Sequence, residues 1–167
     1  MDVLAAPYLA AGLLLVVAGL ATTREPLSLT RALRSAGVPV RAPLLARWVR
    51  VLAAVEALVG VAALVHPSLL TAGLVAVSYA GFTAFVVRAL AAGSPLASCG
   101  CFGKVDTPPT PGHAVVTALL AVAAGLVAVR PIDRVPGLAL LAVTAVLAYL
   151  LYLALAVLPL VSRRAVR

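Results

Sequence analysis

Cys99 and Cys101 are the chain's only cysteines, and a single glycine separates them in Ser98-Cys99-Gly100-Cys101-Phe102-Gly103. Two thiols this close point to thiol–disulfide chemistry. A disulfide needs Cα atoms about 4.4–6.8 Å apart, which residues i and i+2 reach when the backbone bends. Gly100 permits the bend because it has no Cβ. The ring so formed is small and strained, and strained disulfides exchange readily. The thiolate is the reactive species, and a nearby helix N-terminus or Lys104 would favour it. Two other readings of these residues stay open. Free cysteines are often inert packing residues. Alternatively, Cys99 and Cys101 with Asp106 and His113 offer the four ligands zinc prefers, at an irregular spacing unlike the common zinc patterns; the leading reading assigns no metal.

Glu56 is the second candidate. It stands inside an apolar run, about 16 Å from that run's start at helical rise and so near a bilayer midplane. An intramembrane carboxyl is costly and functional by default. It reads as a proton relay or a polar contact for a bound ligand. The structural alternative is a hydrogen bond to Ser78, Tyr79 or Thr83 on the neighbouring helix. His66 reads as a boundary residue at a helix end, and His113 closes the cysteine segment. Trp48, Tyr149 and Tyr152 suit aromatic anchors. Gly60, Gly73 and Gly81 suit close helix contacts.

The elements that position these residues are membrane helices. The chain is 64% hydrophobic and 11% charged over 167 residues, whereas a soluble domain carries roughly 25% charge. Five runs approach the roughly 20 apolar residues needed to cross a bilayer: residues 3–21, 45–65, 69–92, 114–129 and 137–161. The expected fold is therefore all-α, a polytopic bundle of four to five transmembrane helices in one membrane domain, 1–167. His66-Pro67-Ser68 makes a tight turn between the second and third runs. Between the first two, Leu29, Leu33 and Ala36 share a face from Pro26 onward, with Ser28 able to cap. This predicts an interfacial amphipathic helix ended by Gly37 and Pro39. No Lys or Arg precedes Arg24, so the first run reads as a retained helix rather than a secretory signal.

The net charge of +8 does not imply nucleic acid, because the basic residues flank apolar runs where lipid headgroups lie. The partner it implies is the bilayer. With five spans, the first loop, the cysteine segment and the C-terminus share one side, and eleven of the thirteen Lys and Arg residues fall there. The positive-inside rule places that side in the cytoplasm. No phosphate loop, hydrolase triad, haem motif or dinucleotide fingerprint occurs, and no cofactor is implied.

Cys-Gly-Cys-Phe-Gly after the third span resembles the methylamine-utilisation MauE family, whose bundle is similar to DoxX-like proteins. Gly19-Leu20-Ala21, Arg24-Glu25-Pro26 and Glu56-x-x-x-Gly60 extend the likeness, which covers about residues 3 to 160. Where the family often has a lysine, this chain has Thr22-Thr23. The resemblance implies a multi-pass protein of the plasma (inner) membrane that assists maturation of a disulfide-rich partner, with a thioredoxin-like protein, in methylamine dehydrogenase biogenesis. Disulfide formation belongs outside the cytoplasm, so the resemblance and the charge bias point to opposite faces for the cysteines.

The leading functional expectation is a membrane thiol–disulfide oxidoreductase or its accessory subunit, with Cys99, Cys101 and Glu56 as site residues. One cysteine would attack a partner's disulfide and the other would resolve the mixed species. The quinone-linked membrane oxidants use a second cysteine pair, which a partner would have to supply here. The alternative is a non-catalytic scaffold for a membrane complex. A small-solute transporter would need more intramembrane polar groups than Glu56.

Overall fold

The computed structural model describes residues 4–35, 37, 39–91, 110–130 and 137–157. Cys99, Cys101, Lys104 and Asp106 lie outside the described residues. Within them the chain is all helical, with no strand, and five helices are long and apolar enough to cross a membrane.

Helix α1 (Ala5–Arg24) runs past the end of its apolar stretch. Thr22 is buried, and the Thr23 hydroxyl donates back to the Leu20 carbonyl at 2.9 Å, so both threonines are accommodated in helix. Helix α2 (Pro26–Ser35) follows at once. Pro26 suits a first helical position because its φ is already helical and its missing N–H would have no partner there. Ser28 does not cap: it lies one turn inside and donates to the Glu25 carbonyl at 3.3 Å. The helix stops at Gly37, whose φ of +87° is the left-handed conformation that closes a C-terminus, with its N–H on the Arg34 carbonyl. Leu27, Arg31 and Arg34 form the exposed face, while Ala32 packs on Phe85 and Ala89. The amphipathic helix expected here is thus present, its inner face on the bundle.

Helices α3 (Ala42–Val65) and α4 (Leu69–Ala91) form the expected hairpin. Ser68 and Thr71 cap α4 reciprocally: the Ser68 N–H reaches the Thr71 hydroxyl at 2.9 Å, and the Thr71 N–H reaches the Ser68 hydroxyl at 3.3 Å. The Tyr8 hydroxyl meets that same Thr71 oxygen at 3.2 Å and ties α1 to the turn.

Helix α5 (Pro111–Val129) begins with Thr110 as its cap and proline in its first turn. Helix α6 (Leu138–Tyr152) passes into a π-helical turn at Leu153–Val157.

Without water there is no hydrophobic force between membrane helices, so close fit and hydrogen bonds hold them. Helix α1 is the centre of that fit. Its apolar stretch is 56% buried, against 17% for the final span. Helix α3 packs along one side of α1 and α6 along another, while α4 pairs with α5. The core is rich in alanine beside Tyr8, Leu14, Leu15 and Val75. At the α1–α3 crossing Gly60 lies against the backbone of Gly12 and Val16, and Gly19 against Ala53 and Ala57. Gly73 and Gly81 behave differently from Gly60. A Cβ on either would meet nothing within 4 Å, so they are not contact glycines. The two outer faces carry many exposed Leu and Val side chains, as lipid-facing surfaces must.

Candidate functional site

The helices of the hairpin diverge. Helix α3 follows α1 and α4 follows α5, so α3 and α4 touch far less than either touches its other neighbour. Between them lies a cavity of about 460 Å³. Its back wall is α1 (Leu14, Leu15, Ala18), its sides are α3 and α4, and Leu29 and Leu33 of α2 close one end. His113 and Thr117 of α5 and Leu155 of the π turn complete it. The wall is apolar apart from a few groups, of which Glu56 is the only carboxyl among the described residues.

Glu56 sits half-buried on α3 and faces this cavity. Two of the three partners expected for it, Tyr79 and Thr83, are engaged elsewhere. The Tyr79 hydroxyl donates to the Ala11 carbonyl at 3.0 Å. The Thr83 hydroxyl lies 2.8 Å from the Tyr79 carbonyl and 2.9 Å from the Thr117 hydroxyl. Among the described residues no hydrogen bond or ion pair reaches the Glu56 carboxyl. The structural alternative therefore lacks its bond, and Glu56 is left as a polar group of the cavity wall.

His113 is a structural residue. Its Nε2–H donates to the Leu155 carbonyl at 2.8 Å, because a carbonyl can only accept. Its Nδ1 then accepts from the Thr110 hydroxyl at 2.7 Å, while Thr110 also caps the helix through the His113 N–H. The Thr117 hydroxyl donates to the His113 carbonyl at 2.8 Å. The Leu155 carbonyl belongs to the π turn that ends the described part of the last span. With both ring nitrogens occupied, His113 has none left for a metal, which removes one of the four ligands of the zinc reading. His113→Ala should strand the Leu155 carbonyl and cost about 1–3 kcal/mol. A thermal melt of the purified protein in detergent measures it, and loss of protection at α5's first turn in hydrogen exchange localises it.

The cavity lies toward the α2 end of the bundle. That end also holds Arg50, whose Nε donates to the Thr23 carbonyl at 3.3 Å. Helix α4 ends there at Ala91, beside Ala32 of α2, and α5 begins there at Thr110. Residues 92–109, with Cys99 and Cys101 among them, connect these two points. The sequence model described as "Methylamine utilisation protein MauE" matches residues 2–130.

The chain belongs to the MauE family. The matched region contains α1 to α5 and the Cys-Gly-Cys segment, and it stops at Arg130. Helix α6 lies beyond it, so the family likeness is shorter than the 3–160 expected from the motifs. No curated protein and no solved structure matches the chain. As a MauE protein it is a multi-pass membrane protein associated with methylamine utilisation.

Two features of the site had no forewarning in the sequence reading. Tyr79, Phe82 and Phe85 recur at i, i+3 and i+6 and line the cavity together. Thr110-Pro111 marks a helix start, a cap followed by proline.

Proposed function

We propose that this MauE protein is a thiol–disulfide redox factor of the plasma membrane, using Cys99 and Cys101 to help mature a disulfide-containing partner such as methylamine dehydrogenase. The reaction is an exchange. One thiolate attacks a disulfide sulfur, the displaced thiolate leaves, and the second cysteine resolves the mixed disulfide. The partner's disulfide is thereby opened to two thiols and the chain is left oxidised; the dithiol form of a thioredoxin-like protein reduces it again by exchange and ends as a disulfide itself. No electron is lost, since each step trades one S–S bond for another.

The family match supports this reading most, because it spans the Cys-Gly-Cys segment itself. The second support is chain continuity: Ala91 and Thr110, which residues 92–109 join, lie at the end of the bundle that carries α2 and its exposed arginines.

The test is production of active methylamine dehydrogenase in a methylamine-using bacterium lacking its own MauE and supplied with this chain. The double variant Cys99→Ser/Cys101→Ser should give background activity at wild-type membrane abundance. Undiminished activity from the double variant would make the chain a scaffold.

A further inference from the structure

The cavity beside Glu56 has a mouth. Leu52 and Val55 of α3 and Leu74 and Val77 of α4 line it and are also exposed, from 42% for Leu74 to 70% for Val77. These four flank the gap where the hairpin helices diverge. All are apolar and stand within membrane-spanning helices, so the mouth faces hydrocarbon rather than water. Gly81 lines the same mouth, and a side chain there would meet nothing within 4 Å. An occupant can therefore enter from the lipid.

The interior narrows the chemistry further. One wall is the aromatic row of Tyr79, Phe82 and Phe85. Rings on a wall favour a flat ring in the space, by offset or edge-on contact. Opposite it stands the Glu56 carboxyl, which has no protein partner among the described residues, with the Ser78 hydroxyl on α4 also in the lining. A saturated acyl chain would leave that carboxyl unmatched. A polar group buried without a partner costs more than the same group bonded to a ligand. A volume of about 460 Å³ also lies within the range of small-molecule sites.

We infer that this cavity is a binding site for a lipid-soluble planar ring bearing hydrogen-bonding oxygens, the chemical class of the membrane quinones and quinols. The ring lies along Tyr79, Phe82 and Phe85. A ring carbonyl accepts from the Ser78 hydroxyl or from Glu56 as the carboxylic acid, a quinol hydroxyl donates to Glu56 in turn, and the apolar tail leaves between α3 and α4. The site is independent of the cysteines and stands whether or not they are redox-active.

The experiment is calorimetric titration of the full chain in detergent with a benzoquinone carrying a single isoprenyl unit. The matching isoprenyl benzene, which lacks the oxygens, is titrated in parallel. The quinone should bind and the hydrocarbon should bind at least about tenfold more weakly, the loss expected for one hydrogen bond. Glu56→Leu should weaken the quinone by about tenfold without lowering the melting temperature. Ala18→Phe, which places a ring into the cavity from α1, should abolish binding. Should Ala18→Phe not fold, Glu56→Leu and Ser78→Ala carry the test alone. Equal binding of quinone and hydrocarbon would make the cavity a lipid-tail groove and overturn the assignment. So would absence of quinone binding, or binding indifferent to Glu56, Ser78 and Ala18 substitutions.

Discussion

One of the two single variants, Cys99→Ser or Cys101→Ser, should accumulate a covalent adduct with its protein partner. Exchange proceeds through a mixed disulfide, and its lifetime is set by the resolving thiol. Remove the resolving cysteine and the attacker stays bound. Remove the attacker and nothing forms. The expected result is therefore asymmetric: a high-mass band on a non-reducing gel for one variant only, lost on reduction. Both single variants should lose maturation activity as fully as the double variant, since neither can complete a cycle. Zinc binding gives a different pattern. Either substitution would weaken the metal comparably, and no adduct would appear. With both nitrogens already bonded to Thr110 and Leu155, His113 is not free to complete a zinc set.

Gly60→Ala should damage the bundle severely for so small a substitution. A Cβ at Gly60 would stand 2.5 Å from the Gly12 carbonyl oxygen and 2.9 Å from the Val16 backbone nitrogen. Backbone atoms cannot rotate aside, so α1 and α3 must move apart along their whole contact. Overpacking of this kind costs about 1–3 kcal/mol, partly offset by alanine's better helix propensity of about 1 kcal/mol. In a membrane no hydrophobic force restores the separated pair. Gly19→Ala should behave alike, with Ala53 and Ala57 as the obstruction. Gly73→Ala is the control: nothing lies within 4 Å, so the melting temperature should hold or rise. Equal melting temperatures for Gly60→Ala and Gly73→Ala would mean the α1–α3 crossing is looser than described.

These glycines also show how far the sequence could be read. Runs of apolar residues gave the spanning helices directly, because a bilayer imposes length and apolarity together. The period of Leu29 and Leu33 gave α2 in the same way, since an interfacial helix shows its two faces in its spacing. What spacing does not carry is rotation about a helix axis. Gly60 and Gly73 look alike as letters, yet one meets α1 and the other meets nothing. Glu56 was conspicuous because a carboxyl in an apolar run has few innocent explanations. Its lack of a partner was not, since Tyr79 and Thr83 could have turned toward it and instead bond Ala11 and Thr117. The helix ends were read from hydropathy, which misjudges caps: Thr110-Pro111 begins α5 three residues before its apolar run. His113 looked like a free ligand because its second partner, the Leu155 carbonyl, lies 42 residues away. The aromatic row was present in the letters at helical spacing, but only the divergence of α3 and α4 turns it into a cavity wall.

The central claim is that Cys99 and Cys101 cycle between dithiol and disulfide. The direct measurement equilibrates membranes containing the chain against a graded series of thiol–disulfide buffers. The cysteines are then alkylated with a permeant maleimide, and the mass added to the chain is read. The account predicts two maleimides at reducing potentials and none at oxidising ones. The change should follow a single two-electron transition with a slope of about 30 mV per tenfold. Two maleimides at every potential would mean the pair never closes, and the redox assignment would fall.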